Sequence, residues 1–128
     1  MKGPVLSVDA FTADLEPSPL DTADVVSGSP AVQVAELTAV DGVEIGIWQI
    51  TAGTVTDVEV DEVFVVLSGR GEVRLGDDTV VALAAGTVVR LHAGERTTWT
   101  IAETLRKIYV ALPTHPVHGT PVTSEGIS

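Results

Sequence analysis

At 128 residues, 45% of them hydrophobic, the chain has the size of a single domain and can bury about two thirds of the surface its unfolded form exposes. Its 18 acidic and 7 basic residues give a net charge of −11, a field that repels nucleic acid and other polyanions. Cysteine is absent, which excludes disulfides and thiolate chemistry, and the longest apolar run, Val80 to Ala85, is far too short to span a membrane.

Met1-Lys-Gly-Pro leads into no apolar stretch of signal-peptide length, so a soluble, cytoplasmic protein is expected. Residues 1–30 carry five acids, one lysine and four prolines. They read as an extended N-terminal arm that either stays mobile or adds a strand to a partner. From 31 to 112 no proline occurs, as a continuous sheet needing its backbone donors requires.

Eight of the twelve glycines divide that stretch at turn-like intervals. Strands are predicted at Val32 to Val40, Glu44 to Thr51, Val63 to Leu67, Gly71 to Leu75, Thr79 to Leu83, Thr87 to Leu91, Thr97 to Ile101 and Leu105 to Leu112, all rich in Val, Ile and Thr. The clearest hairpin joins Glu72–Leu75 to Thr79–Leu83 through Gly76-Asp77-Asp78. Helical periodicity is weak throughout, so the expected fold is all-β, a single-domain jelly roll over 31–112. Residues 113–128 form a polar C-terminal tail in which His115 and His118 could hold only adventitious metal.

Within Asp57-Val-Glu-Val-Asp61-Glu62, strict alternation places Asp57, Glu59 and Asp61 on one face and Val58, Val60 and Glu62 on the other. Three acids facing water are ordinary. A carboxylate among valines must be paired, protonated or functional, which makes Glu62 the lead candidate. A bulge before it would reverse the parity and bring Asp57 inward. Downstream, alternation aligns Thr97 with Trp99 and Ile101, offering a hydroxyl, an indole and an aliphatic group to an interior ligand, although Trp99 and Trp48 could equally be core. Arg90 and Arg96 could meet an anionic ligand or pair with surface acids. His92 lies in a turn with Gly94 and reads as a solvent-facing residue.

The run Gly53-Thr-Val-Thr-Asp-Val-Glu-Val-Asp-Glu62-Val-Phe-Val-Val-Leu-Ser-Gly69, followed by Gly86-Thr-Val-Val-Arg-Leu-His92-Ala-Gly94-Glu-Arg-Thr97-Thr-Trp99, resembles the paired motifs of a cupin barrel. That resemblance implies a double-stranded β-helix with an interior metal held by three histidines and a glutamate, of which only Glu62 is present here. Trp99 to Val110, with His92-Ala-Gly-Glu-Arg96 and Gly46-Ile-Trp48-Gln49, is similar to the small cupins grouped with the ureidoglycine aminohydrolase cupin domain, over residues 44–112. The manganese ligands of those enzymes, Glu, His, His and Gln, fall on Thr56, Val58, Glu62 and Thr97. A threonine or valine is no substitute for them, so no metal and no other cofactor is expected.

The resulting expectation is a metal-independent barrel that binds an unidentified small organic molecule. Glu62 would be its candidate catalytic residue, with Trp48, Thr56, Val58, Phe64, Arg90, Thr97 and Trp99 as ligand contacts. Two alternatives stay open: an isomerase, lyase or ureidoglycine-type hydrolase using Glu62 as acid or base, and a metal-dependent cupin built on Glu62, Asp57 and a histidine of the tail or a partner. Cupins of this shape commonly pair through their sheets, and with the extended arm this implies a homodimer.

Overall fold

Two long strands that each change partners halfway along organise the fold. The computed structural model describes residues 7–113, which form β1 (Glu16–Pro17), β2 (Val25–Ser27), β3 (Val32–Val40), β4 (Val43–Ile50), β5 (Gly53–Val58), β6 (Glu62–Arg74), β7 (Val80–Leu83), β8 (Val88–Leu91) and β9 (Arg96–Ala111), with one 3-10 turn at Thr22–Asp24. All pairings are antiparallel. The first half of β6 pairs with β8 and the second with β7, while β9 runs along its whole other edge. The far edge of β9 is shared in the same way, by β5 over its first half and β4 over its second.

This arrangement curls one sheet into a jelly roll, as the period-two runs of Val, Ile and Thr predict. The bend falls where the β6–β9 register shifts, between Val66 and Gly71. Gly69 sits there at φ 97°, and a Cβ at that position would run into the Thr104 carbonyl, so no other residue fits without moving backbone. Across this break the inward face of β6 changes from Glu62, Phe64 and Val66 to Val73. Along β9 the odd positions Thr97, Trp99, Ile101, Leu105 and Lys107 are buried, interrupted by the exposed Glu103. The core between the walls is Val32, Ile50, Val55, Phe64, Val66, Val73, Leu83, Val89, Leu91, Trp99, Ile101 and Leu105.

Several expectations are corrected by this topology. Val63–Leu67 and Gly71–Leu75 are one strand, because Gly69 marks a bulge instead of a turn. Thr97–Ile101 and Leu105–Leu112 are likewise continuous in β9. The strand β5 was not foreseen; its polar alternation hides Val55, which pairs with Trp99 and is buried. The hairpin of β6 and β7 stands as expected, with Asp78 at φ 71° and the Asp77 carboxylate accepting the Thr79 N–H at 2.9 Å.

The described part of the N-terminal arm folds back on its own barrel. β1 pairs with β3, β2 pairs with β5, and Arg106 donates to the carbonyls of Ala10 (2.9 Å) and Ala13 (3.3 Å). Donation of this segment as a strand to a second copy therefore loses its argument. His115 and His118 lie outside the described residues. No helix among the described residues is long and apolar enough to cross a membrane.

Candidate functional site

Lysine 107 is the centre of the candidate site. Its position on β9, between the inward-facing Leu105 and the half-buried Tyr109, directs a four-carbon stem into the barrel, and the residue is only 4% exposed. The ammonium lies 4.2 Å from the ring centroid of Phe64 and 4.7 Å from those of Trp48 and Trp99. The faces of these rings carry negative potential and replace part of the hydration the cation gives up. Its remaining partner is Glu62, whose Oε2 accepts a hydrogen bond at 2.8 Å.

The rings form their own stack, Trp48 and Phe64 each 5.4 Å from Trp99, so ammonium and aromatics hold one another in place. Register explains the convergence: Trp48 on β4 and Val66 on β6 lie directly opposite Lys107, and Phe64 lies opposite Tyr109. Gly46, on β4, leaves the room that the Tyr109 ring fills, and the Tyr109 hydroxyl donates to Glu44 at 3.1 Å. Burial first, and then the neighbouring Glu44 carboxylate, push the Tyr109 hydroxyl well above its ordinary pKa.

A second carboxylate stands beside this group. Glu59, 7% exposed, accepts on Oε2 from the Thr97 hydroxyl at 2.6 Å and from Trp99 Nε1 at 3.2 Å. The indole N–H also reaches Thr97 Oγ1 at 3.0 Å. Burial raises the Glu59 pKa above its ordinary value against these two hydrogen bonds, and Asp57 is raised by burial as well. Together Val34, Trp48, Asp57, Glu59, Glu62, Trp99, Lys107 and Tyr109 line a half-open cavity of about 140 Å³. An apolar cavity of roughly 150 Å³ holds benzene, so this one suits a ligand of about six non-hydrogen atoms.

A larger recess, about 350 Å³, lies over Thr56, Asp57, Val58, Arg74, Arg96 and Thr97; it shares Asp57 with the smaller cavity but none of its aromatic rings. This recess and two others of about 450 and 470 Å³ are larger, but chemistry favours the smaller cavity, where buried charges and aromatic faces converge.

The acids are therefore sorted differently from the alternation rule. From the buried Val55 the parity carries to the buried Glu59, with the exposed Asp57 between them at the open side of the cavity, and the segment between β5 and β6 then resets it so that Glu62 is inward too. Backbone bonds from Glu59 N–H to Glu95 and from Gly94 N–H to Glu59 fix that reset. Val58 and Val60 are 53% and 50% exposed, so Val58 does not line the interior and Glu59 does not face water. Of the three expected solvent-facing acids only Glu59 is buried: Asp57 remains exposed, and Asp61 is half-buried at the surface, where the Ala93 N–H and then Arg90 hold its pKa down.

The remaining candidates are spread out. Trp48 and Trp99 line the cavity, and Thr97 sits behind it as a donor to Glu59. Phe64 is fully buried beneath the ammonium. Thr56 faces the outer recess and donates weakly to the Asp24 carbonyl at 3.4 Å. Arg90 is half-buried at Asp61 and the Leu91 carbonyl, away from the cavity. His92 is exposed and 4.0 Å from Glu95. Sequence reasoning passed over Lys107, Glu59 and Tyr109; a lysine alternating with Leu105 and Tyr109 on a strand was the available signal.

The donor set does not fit the metal that cupin barrels commonly hold. Of the four matching positions, Thr56 and Val58 point away, the Thr97 hydroxyl is committed to Glu59, and Glu62 is bonded to an ammonium. No group of three His, Cys, Asp or Glu suited to a metal ion occurs among the described residues.

The Glu59 arrangement makes a prediction. Its folded-state pKa lies above its ordinary value of 4.5, so between those limits the folded chain holds more protons than the unfolded, and stability falls as pH rises. Glutamine can still accept from Thr97 and Trp99 through its carbonyl oxygen but carries no charge. Glu59→Gln is expected to be more stable than the parent at neutral pH, with that advantage shrinking on acidification toward pH 4.5. Urea denaturation of both at pH 5 and pH 7.5 checks it; a variant less stable at pH 7.5 contradicts it.

Comparison with known proteins places this geometry. A putative ethanolamine utilization protein Q from Salmonella typhimurium LT2 has a similar structure, with TM-score 0.58 and 22% identity over 66% of this chain and 72% of that one. A protein of unknown function from Pseudomonas syringae pv. tomato DC3000 gives TM-score 0.68 and 24% identity over 77% of this chain, which spans 44% of that longer protein. A predicted oxalate decarboxylase from Thermotoga maritima gives TM-score 0.62 and 16% identity, covering 85% of this chain and 100% of that one. At such identities these likenesses show the fold alone. Among curated proteins none matches the chain. The sequence profile of the EutQ-like cupin domain matches residues 37–109, more than half of the chain, and the chain belongs to that cupin family.

Proposed function

We propose that this cupin is a metal-independent small-molecule-binding barrel whose ligand enters the cavity bounded by Trp48, Trp99, Glu59, Glu62, Lys107 and Tyr109. The observation that carries this reading is the Lys107 ammonium at 2.8 Å from Glu62. A cation supplied by the chain itself sits where the family's one surviving metal-ligand position would direct a metal. Aromatic walls and a few convergent polar groups are what a small-ligand pocket requires.

The ureidoglycine-type reaction draws no support from this donor set, since two of its four ligand positions face outward. The acid–base alternative is better supported at Glu59 than at Glu62, because the Glu62 carboxylate is engaged by Lys107 while Glu59 is held by neutral donors only.

The test is ligand-dependent melting in the presence of a chelator, across small organic acids, ureides, polyols and amines. At least one class is expected to raise the melting temperature of the parent, and Val34→Phe, which fills the cavity from β3, is expected to abolish the shift. A panel without effect on the parent, or a shift that Val34→Phe retains, refutes binding at this site.

A further inference from the structure

The cavity is short of one positive charge. Three carboxylates line it, Asp57, Glu59 and Glu62, against the single ammonium of Lys107, and that ammonium makes its one hydrogen bond to Glu62. Asp57 Oδ1 accepts the N–H of Val58 at 2.8 Å, and Glu59 Oε2 accepts from Thr97 and Trp99. Asp57 Oδ2 and Glu59 Oε1 accept no hydrogen bond from any described residue, although Glu59 is 93% buried, being 7% exposed. Of the remaining described cations, Arg70 is at Glu103, Arg90 at Asp61, and Arg106 at Gln49 and the N-terminal segment; Arg74 and Arg96 line the outer recess, which Asp57 also borders, but neither forms an ion pair with Asp57.

Building on the small-molecule reading above, we infer that the ligand is a small organic cation, a primary ammonium, amidinium or guanidinium of about six non-hydrogen atoms or fewer, whose N–H groups bond to Asp57 and Glu59 while its carbon skeleton lies on Trp48 and Trp99. A buried carboxylate with a spare lone pair, as Glu59 is, is costly unless paired, and a charged N–H donor that reaches it past the exposed Asp57 satisfies both the charge and the free oxygen. The exposed face of the aromatic group favours the same charge. An anionic ligand would place a fourth negative group beside three, and a neutral one would leave the excess uncompensated. The Lys107–Glu62 pair closes the inner wall and limits the cation to the Asp57 and Glu59 side.

Calorimetric titration with EDTA present at pH 7.5 tests this, using n-propylammonium, acetamidinium and methylguanidinium, with propionamide and n-propanol as neutral probes and propionate as the anion. A cation is expected to bind at one site per chain, at least about tenfold more tightly than the neutral and anionic probes, as a charge-assisted contact requires. Asp57→Asn, at the half-open side of the cavity where loss of the charge leaves the fold intact, is expected to weaken that binding by about tenfold or more. Val34→Phe is expected to remove it.

Three results overturn the inference. Propionate or propionamide binding as tightly as the cations would leave a small-molecule barrel of a different charge preference. Cation binding unchanged in Asp57→Asn or in Val34→Phe would mean adsorption on the acidic surface. No binding by any probe would remove both this inference and the small-molecule reading on which it rests.

Discussion

Lys107→Met is expected to cost about 3–5 kcal/mol of folding stability at neutral pH, the loss typical of removing one partner from a buried ion pair. The lysine and glutamate side chains are 6% and 11% exposed, so neither can recover its partner's contribution from water. Methionine retains most of the stem packing against Trp48, Phe64 and Trp99, which makes the change mainly one of charge. What remains is a carboxylate enclosed by aromatic rings and flanked by Asp57 and Glu59.

Because that cost comes from the orphaned charge more than from the lost attraction, the double variant Glu62→Gln with Lys107→Met is expected to recover most of it. Urea denaturation of the parent, the two single variants and the double variant measures the coupling. A Lys107→Met chain as stable as the parent would show that the ammonium is not what holds Glu62 inside the barrel.

Trp99→Ala is the second large effect, expected at about 3–5 kcal/mol from loss of a fully buried aromatic side chain and the cavity it leaves. Trp99 is 2% exposed, stacks between Trp48 and Phe64, and donates to both Glu59 and Thr97. Trp99→Phe separates these roles. It keeps a ring against its two neighbours and removes the N–H, so its cost is expected to be smaller, about 1–3 kcal/mol for the acceptor left short of a donor. Combining Trp99→Phe with Glu59→Gln is expected to return part of that loss, since a neutral amide needs the missing donor less than a carboxylate does. Equal costs for the alanine and phenylalanine variants would mean that the stack contributes nothing beyond the hydrogen bonds.

The legible part of this protein was its regular part. Proline exclusion from 31–112, glycine spacing and runs of Val, Ile and Thr report local backbone needs, and those needs hold in the sheet: β3, β4, β7 and β8 lie within one residue of where alternation and turn chemistry put them. What failed were inferences across irregular backbone. Gly69 looks like a turn residue and is a bulge, so two predicted strands are one. The segment between β5 and β6 leaves strand geometry, so one alternation cannot be drawn from Asp57 to Glu62, and the assignment of Val58 inward and Glu59 outward fails together.

Sequence alone determined the all-β barrel and the poverty of histidine at the cupin ligand positions, because each depends on residue type and period over a few neighbours, whereas Glu62 is inward although the alternation with Val58 and Val60 that suggested it does not hold. Only tertiary structure decided what Glu62 faces. Lys107 is 45 residues away along the chain and reaches it because β6 and β9 pair across the barrel, with Trp48 delivered by β4 from the other side. Pairing over that distance is set by sheet register and by the Gly69 bulge, which no local spacing of residues encodes.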